Sequence, residues 1–155
     1  MKVLVLNGPN LSQLGGREPE VYGTVSYADL EKLCLDLGAS IGLQVDVRQT
    51  DDEGQMVRWV HESAKSGDAI VINPAAFTHY SYALRDACAM HPGPLVEVHL
   101  TNPTAREDFR KLSVISPVAS GVISGFGVFS YVLAFQALAS MGHGEIGEPS
   151  ADEVQ

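Results

Sequence analysis

The run Leu95-Val96-Glu97-Val98-His99-Leu100 sets a carboxylate and an imidazole two residues apart in an otherwise apolar strand. Side chains alternate across a strand, so Glu97 and His99 share one face. A strand apolar on both faces belongs inside a sheet covered on both sides, as parallel sheets are. A charge buried there needs a partner, and a Glu beside a His fixes the imidazole tautomer and raises its basicity. A satisfied core pair without a chemical role would give the same spacing, so the choice rests on the company this strand keeps.

Outward from that strand, further apolar runs at 3–6, 43–48, 69–73 and 118–123 read as strands, and 95–100 makes the fifth. Helical patterning fills 26–41, 53–66 and 81–90, with a short helix expected near 104–111 and a last helix at 128–141. Ser26 with Asp29 three residues on marks a helix start. Alternation of this kind predicts right-handed crossovers and a parallel sheet with helices on both faces. Five strands in such a chain give the flavodoxin-like order 2-1-3-4-5, a doubly wound three-layer α/β/α fold.

The 155 residues, 45% hydrophobic, suit one globular domain. Its expected bounds are 1–142, with an acidic tail at 143–155 that carries Gly and Pro but no Lys or Arg and reads as disordered. A formal charge of -9 leaves no basic stripe for nucleic acid. A few local arginines can still receive a small anion. No window is long and apolar enough for a membrane span, and the first residues lack a signal-peptide pattern. Cys34 and Cys88 sit in apolar helical contexts; reduced core thiols, suited to the cytoplasm, are expected over a disulfide. The last helix is apolar on nearly all sides, with Ser130, Gln136 and Ser140 as its polar breaks. Either self-association or a covered core helix explains that.

Ligands of open parallel sheets bind at the carboxyl ends of the strands, where the strand order reverses. Strand 1 runs into Asn7-Gly8-Pro9-Asn10, strand 3 into Asn73-Pro74-Ala75-Ala76-Phe77-Thr78-His79, and strand 4 delivers Glu97, His99 and Thr101. These polar groups are therefore expected to converge on one edge. The connection 11–25 is long for a strand-to-helix loop and reads as a mobile lid. Its glycines allow hinging, so Arg17 and Tyr22 could swing over the crevice together. A guanidinium beside a phenol lowers the phenol's pKa from about 10, and a tyrosinate is a competent general base.

Other chemistries lack their residues. There is no Gly-x-Ser-x-Gly elbow and no phosphate-binding Gly-rich loop with Lys, and without HExxH or paired-Cys spacing no metal is expected. The four lysines, Lys2, Lys32, Lys65 and Lys111, give an imine mechanism little support. His61, His91 and His143 receive no role. Asp51 and Asp52 are read simply as acids at a helix N-terminus. A receiver domain would want acids after strand 1 and Lys after strand 5, where this chain has Asn7 and Ser124. A flavin carrier would want a short turn in place of the long first loop.

The segments Val5-Leu6-Asn7-Gly8-Pro9-Asn10-Leu11, Arg17-Glu18-Pro19-Glu20-Val21-Tyr22-Gly23, Ile72-Asn73-Pro74 with Thr78-His79, Ala83-Leu84-Arg85-Asp86-Ala87, Val96-Glu97-Val98-His99-Leu100 and Ala105-Arg106-Glu107 closely resemble the type II 3-dehydroquinate dehydratases. Ser116-Pro117-Val118 and Gly125-Phe126-Gly127 fit as well. The resemblance runs from Lys2 to about Met141 and implies anti elimination of water from 3-dehydroquinate through an enolate, without a cofactor. It implies Tyr22 as general base activated by Arg17, Asn10 as holder of a water that stabilises the enolate, and His99 as general acid oriented by Glu97. Asn73, His79, Arg110 and the backbone at Leu100 and Thr101 would hold the substrate, and Arg106 would join an arginine cluster at the lid. Asp86 would reach a neighbouring subunit's site within a trimer, and four trimers would form a dodecamer.

The chain departs from that family's pattern at several places. Ser12-Gln13 makes the first loop more polar, Asp51-Asp52 replaces a frequent Asn-His, and Pro103-Thr104 replaces Ile-His. Ala75 stands where Gly is frequent, and Phe77 where Tyr is. None of these removes a group to which the resemblance assigns chemistry.

Overall fold

Odd and even residues of the central strands go to opposite sides of the sheet, and each side has its own helices. Val3 and Val5 of β1 (Lys2–Asn7), Ala69 and Val71 of β3 (Ala69–Asn73), and Val96 and Val98 of β4 (Leu95–His99) pack with Leu30 and Cys34 of α1 (Tyr27–Ser40). The same cluster takes in Tyr131, Ala134, Phe135 and Leu138 of α4 (Phe129–Gly142). Leu4, Leu6, Ile70, Ile72 and Leu95 pack on the other side with Met56 and Val60 of α2 (Glu53–Ser66) and Leu84, Ala87 and Cys88 of α3 (Tyr82–Ala89). With β2 (Gln44–Gln49) and β5 (Gly121–Ser124), the sheet is parallel throughout, in the order β2-β1-β3-β4-β5. The three-layer doubly wound reading of the sequence is therefore correct. This computed structural model describes residues 1–16, 20 and 23–142.

Local chemistry sets the helix starts. Ser26 and Asp29 form a reciprocal capping box on α1, with Asp29 N–H donating to Ser26 Oγ (3.1 Å) and Ser26 N–H to Asp29 Oδ2 (3.0 Å). A cap of this kind is worth about 1 kcal/mol. Asp52 caps α2 by accepting from Gln55 N–H (3.0 Å).

Two expectations need correcting. The run 118–123 begins as a 3-10 turn, Ser116–Val118, closed by Val118 N–H to Ile115 O (3.0 Å). The Val118 and Ala119 N–H groups are used inside that turn, Ser120 N–H is the first to reach β4 at Leu95 O (2.7 Å), and β5 starts at Gly121. In place of one short helix near 104–111 there are two 3-10 turns, Pro103–Ala105 and Asp108–Lys111, separated by Arg106 in an extended conformation. At the start of the long first connection, Leu11–Gln13 is a 3-10 turn, and Leu11 is buried in the cluster beneath α1 and α4.

The cysteines lie on opposite faces of the sheet, Cys34 in α1 and Cys88 in α3, so a disulfide between them is sterically closed. Burial pushes both thiols up to about 12, with a smaller contribution from Glu31 at Cys34 and from Glu97 at Cys88. Among the described residues, no helix is long and apolar enough to cross a membrane.

Candidate active site

The parity that builds the core also aims the polar ends of the strands. Asn7 and Asn73 pair in register at the ends of β1 and β3 and face the α1/α4 side, whereas Glu97 and His99 face the α2/α3 side. Between them, β1 turns sharply through Gly8, whose N–H donates to Asn73 O (2.8 Å). A Cβ on Gly8 would lie 2.5 Å from the Pro74 carbonyl oxygen, so only glycine allows the two chains to approach this closely. Asn10 follows in the left-handed conformation, φ 68°, which Asn tolerates better than most residues.

Asn10 is held from the neighbouring connection. Its N–H donates to Asp51 Oδ1 (2.9 Å), and Gln49 Nε2 donates both to that oxygen (3.0 Å) and to Gly8 O (3.2 Å). The reading of Asp51 as a helix-terminal acid is thus corrected. Asp52 alone caps α2, while Asp51 turns toward the loop that carries Asn10.

His99 rests on a carboxylate that has no contact with solvent. Glu97 is 0% exposed and accepts from His99 Nε2 (2.7 Å), from Ser113 Oγ (2.9 Å), and from the Thr78 and Ser116 hydroxyls. Burial pushes this carboxyl up. The His99, Ser116 and Thr78 hydrogen bonds together outweigh that effect and hold it below the ordinary carboxylate range. A carboxylate can only accept, so Nε2 carries the hydrogen and Nδ1 is the ring nitrogen left for proton transfer. Thr78 appeared in the sequence only as part of a motif, and Ser113 and Ser116 carried no signal that would have assigned them to Glu97.

A crevice opens over these strand ends, lined in part by Asn10, Asn73, His79, His99, Leu100 and Thr101. Arg106 and Arg110 lie along it as well and supply its positive charge in an otherwise acidic chain. Arg106 Nη1 donates to Thr101 Oγ1 (3.5 Å). Arg110 is steadied by Glu107 (3.0 Å) and stacks on Phe109, 4.6 Å from the ring centroid. His79 Nδ1 meets the Leu112 carbonyl (2.7 Å), which leaves Nε2 for a ligand. The Leu100 carbonyl is occupied by Gly127 N–H (2.9 Å). Among the described residues, no group of three or more His, Cys, Asp or Glu could hold a metal ion.

Asp86 does not join this crevice within one chain. It lies on α3, its side chain 73% exposed and paired with Arg85 (3.0 Å). Arg17 and Tyr22 lie outside the described residues, as does the tail 143–155.

The arrangement amounts to a buried carboxylate under an imidazole whose Nδ1 faces away from it, with amides and guanidiniums lining the crevice. It suits proton transfer to an oxygen of a small, anionic, hydroxylated ligand. Compared with known families, residues 1–139 match the one described as Dehydroquinase class II. The chain belongs to the class II dehydroquinase family. The 3-dehydroquinate dehydratase of Salinispora tropica is 58% identical over 140 residues, covering 90% of this chain and 98% of that protein. That of Thermus thermophilus is 56% identical over 138 residues, covering 88% and 93%. Among solved structures, the type II dehydroquinase of Propionibacterium acnes superposes with a TM-score of 0.88 at 47% identity, covering 90% of this chain and 96% of that one. The class II dehydroquinase match takes in every described residue of the crevice named above.

Proposed function

We propose that this chain is a 3-dehydroquinate dehydratase, a hydro-lyase that converts 3-dehydroquinate to 3-dehydroshikimate by anti elimination. The observation that carries the reading is His99, seated on a fully buried Glu97 at the lip of a crevice lined by Asn10, Asn73 and Arg110. Family membership then names the substrate.

In this reading the Tyr22 phenolate, formed beside Arg17, takes the proton from C2. The C–H electron pair moves into an enolate on the C3 ketone, which a water held by Asn10 stabilises. When the ketone re-forms, the C1–O bond breaks and His99, doubly protonated for this step, gives its Nδ1 proton to the departing hydroxyl, leaving water, a C1–C2 double bond and an imidazole that keeps its Nε2 hydrogen on Glu97. Solvent returns the proton from Tyr22 to His99. Base and acid must act on opposite faces of the ring, as a loop-borne Tyr22 and a sheet-borne His99 would. Each positioned proton-transfer group contributes about a hundred- to ten-thousand-fold. Asn73, His79, Arg110, Leu100 and Thr101 hold the hydroxyls and carboxylate, Arg106 works with the lid, and no cofactor is used.

Assembly belongs to the same proposal. Tyr82, Met90, Phe109, Leu112, Phe126 and Phe129 leave large apolar surfaces exposed, which supports burial against further copies of the chain. Exposed Asp86 would then serve a neighbour's site within trimers that build a dodecamer. The two reduced, buried thiols support a cytoplasmic location.

Purified protein mixed with 3-dehydroquinate in chelator-containing buffer should produce the ultraviolet absorbance of the conjugated enone product. No absorbance under those conditions would overturn the reading.

A further inference from the structure

The fully buried phenol of the α1/α4 core lies beneath the crevice. Tyr131 is fully buried, and its hydroxyl donates to Asn7 Oδ1 (2.6 Å) and accepts from Asn73 Nδ2 (3.0 Å). It therefore ties together the carboxyl ends of β1 and β3, which pair as Asn7 with Asn73 at the point where the strand order reverses. Asn73 is the member of this trio that also lines the crevice.

The hydrogen count makes the trio directional. A phenol has one hydrogen, and Asn7 Oδ1 takes it, so toward Asn73 the phenol oxygen can only accept. Asn73 must present its NH2 to Tyr131 and not its oxygen. On its other side, Asn73 Oδ1 accepts from Ala75 N–H (3.1 Å). The carboxamide is fixed at both ends, leaving one N–H and one lone pair for a ligand. Burial raises the Tyr131 pKa and the Asn73 hydrogen bond opposes this only in part, so the hydroxyl stays protonated. Among the described residues Asn7 Nδ2 has no partner at hydrogen-bond distance, and the nearby Tyr27 phenol, packed against the same cluster, is the group it interacts with. Asn7 Oδ1 is the acceptor that commits the Tyr131 proton.

We propose that Tyr131 is a positioning residue that sets, through its hydroxyl and Asn7, the orientation in which Asn73 meets the substrate. The inference rests on the reading of Asn73 as a substrate-holding residue. Asn73 binds ground state and transition state alike in that reading, so loss of its orientation should fall on KM and spare kcat.

The test is a double-mutant cycle of Tyr131→Phe and Asn73→Ala, with thermal unfolding followed in parallel. Tyr131→Phe should raise KM about tenfold with kcat within about threefold. In the Asn73→Ala background the same change should leave KM within about twofold. Lower thermal stability with an unchanged KM, or full additivity of the two variants, would overturn the inference. If Asn73→Ala alone leaves KM unchanged, the substrate-holding reading of Asn73 falls and this inference with it, a result distinct from a silent Tyr131→Phe. Should Tyr131→Phe not fold, Asn7→Ala decides. That variant keeps the ring packed and frees the Tyr131 proton to turn toward Asn73 Oδ1, so KM should rise, and an unchanged KM would refute the proposal.

Discussion

Glu97 and His99, two residues apart on β4, are joined by a 2.7 Å hydrogen bond between Oε1 and Nε2. Three hydroxyls, from Thr78, Ser113 and Ser116, converge on the same carboxylate and leave it no freedom to turn. Glu97→Gln keeps the shape but puts an NH2 where one of the acceptor oxygens was, so His99 loses its fixed tautomer or a serine loses its acceptor. The variant should fold with reduced stability, and kcat should fall by about a hundred- to ten-thousand-fold, the worth of a positioned proton-transfer group. Steady-state kinetics beside a urea titration checks this; a kcat within a few-fold of the parent would contradict it.

The same carboxylate makes stability depend on pH. Its folded pKa lies below the ordinary 4.5, because the hydrogen bonds from His99, Ser116 and Thr78 together outweigh the effect of burial. Below 4.5 the unfolded chain takes up the proton before the native one does. The contribution of Glu97 is therefore fully present above about pH 4.5 and is lost as pH falls through the folded value. Urea midpoints measured from about pH 6 down to about pH 3 should decline more steeply for the parent than for Glu97→Gln. The solvent-exposed carboxylates Asp29, Glu62 and Glu107, also held low by their partners, remain in both proteins and cancel from the comparison. Parallel declines would show that Glu97 does not titrate in this way.

Asp51 offers a third test, because its only evident service is to the loop at the crevice. It accepts the Asn10 N–H and the Gln49 amide. Asp51→Asn keeps an acceptor oxygen and should stay close to the parent. Asp51→Ala should lower kcat/KM about tenfold while lowering stability by no more than about 1 kcal/mol, since an exposed hydrogen bond contributes little to folding. Equal kinetics in Asp51→Ala and the parent would show that Asn10 holds its left-handed turn unaided.

The contrast between Asp51 and Ser26 shows where a sequence stops being legible. Ser26 and Asp29 declare themselves because capping is local, and three residues of spacing are enough to read it. Strand parity is equally local, which is why the shared face of Glu97 and His99 could be read directly, while the alternation of strands and helices along the chain carried the sheet order. Thr78, Ser113 and Ser116 reach Glu97 only after the chain has folded across 16 to 19 residues, and hydroxyls at such separations form no pattern. Asp51 meets Asn10 across 41 residues, and its place beside a helix start supplied a local explanation that concealed the distant one. Tyr131 was hidden differently. In a helix apolar on nearly all sides its ring reads as core, and only the positions of Asn7 and Asn73 reveal that its hydroxyl is in use.

The last test separates the acid from the base. If Tyr22 takes the C2 proton, Tyr22→Phe keeps the ring, removes the phenolate and should abolish turnover in a folded protein. Arg17→Ala should cut kcat severely as well, because the phenol loses the charge that favours its ionisation. Arg17→Lys should recover part of it, since a positive charge remains without the planar fork. His99→Ala blocks departure of the hydroxyl but leaves proton removal intact, so it should still exchange the substrate's C2 proton with solvent. In deuterated buffer, followed by proton NMR of 3-dehydroquinate, C2 exchange should persist in His99→Ala and vanish in Tyr22→Phe. Exchange retained in Tyr22→Phe but lost in His99→Ala would reverse the two roles and would make the imidazole on Glu97 the base.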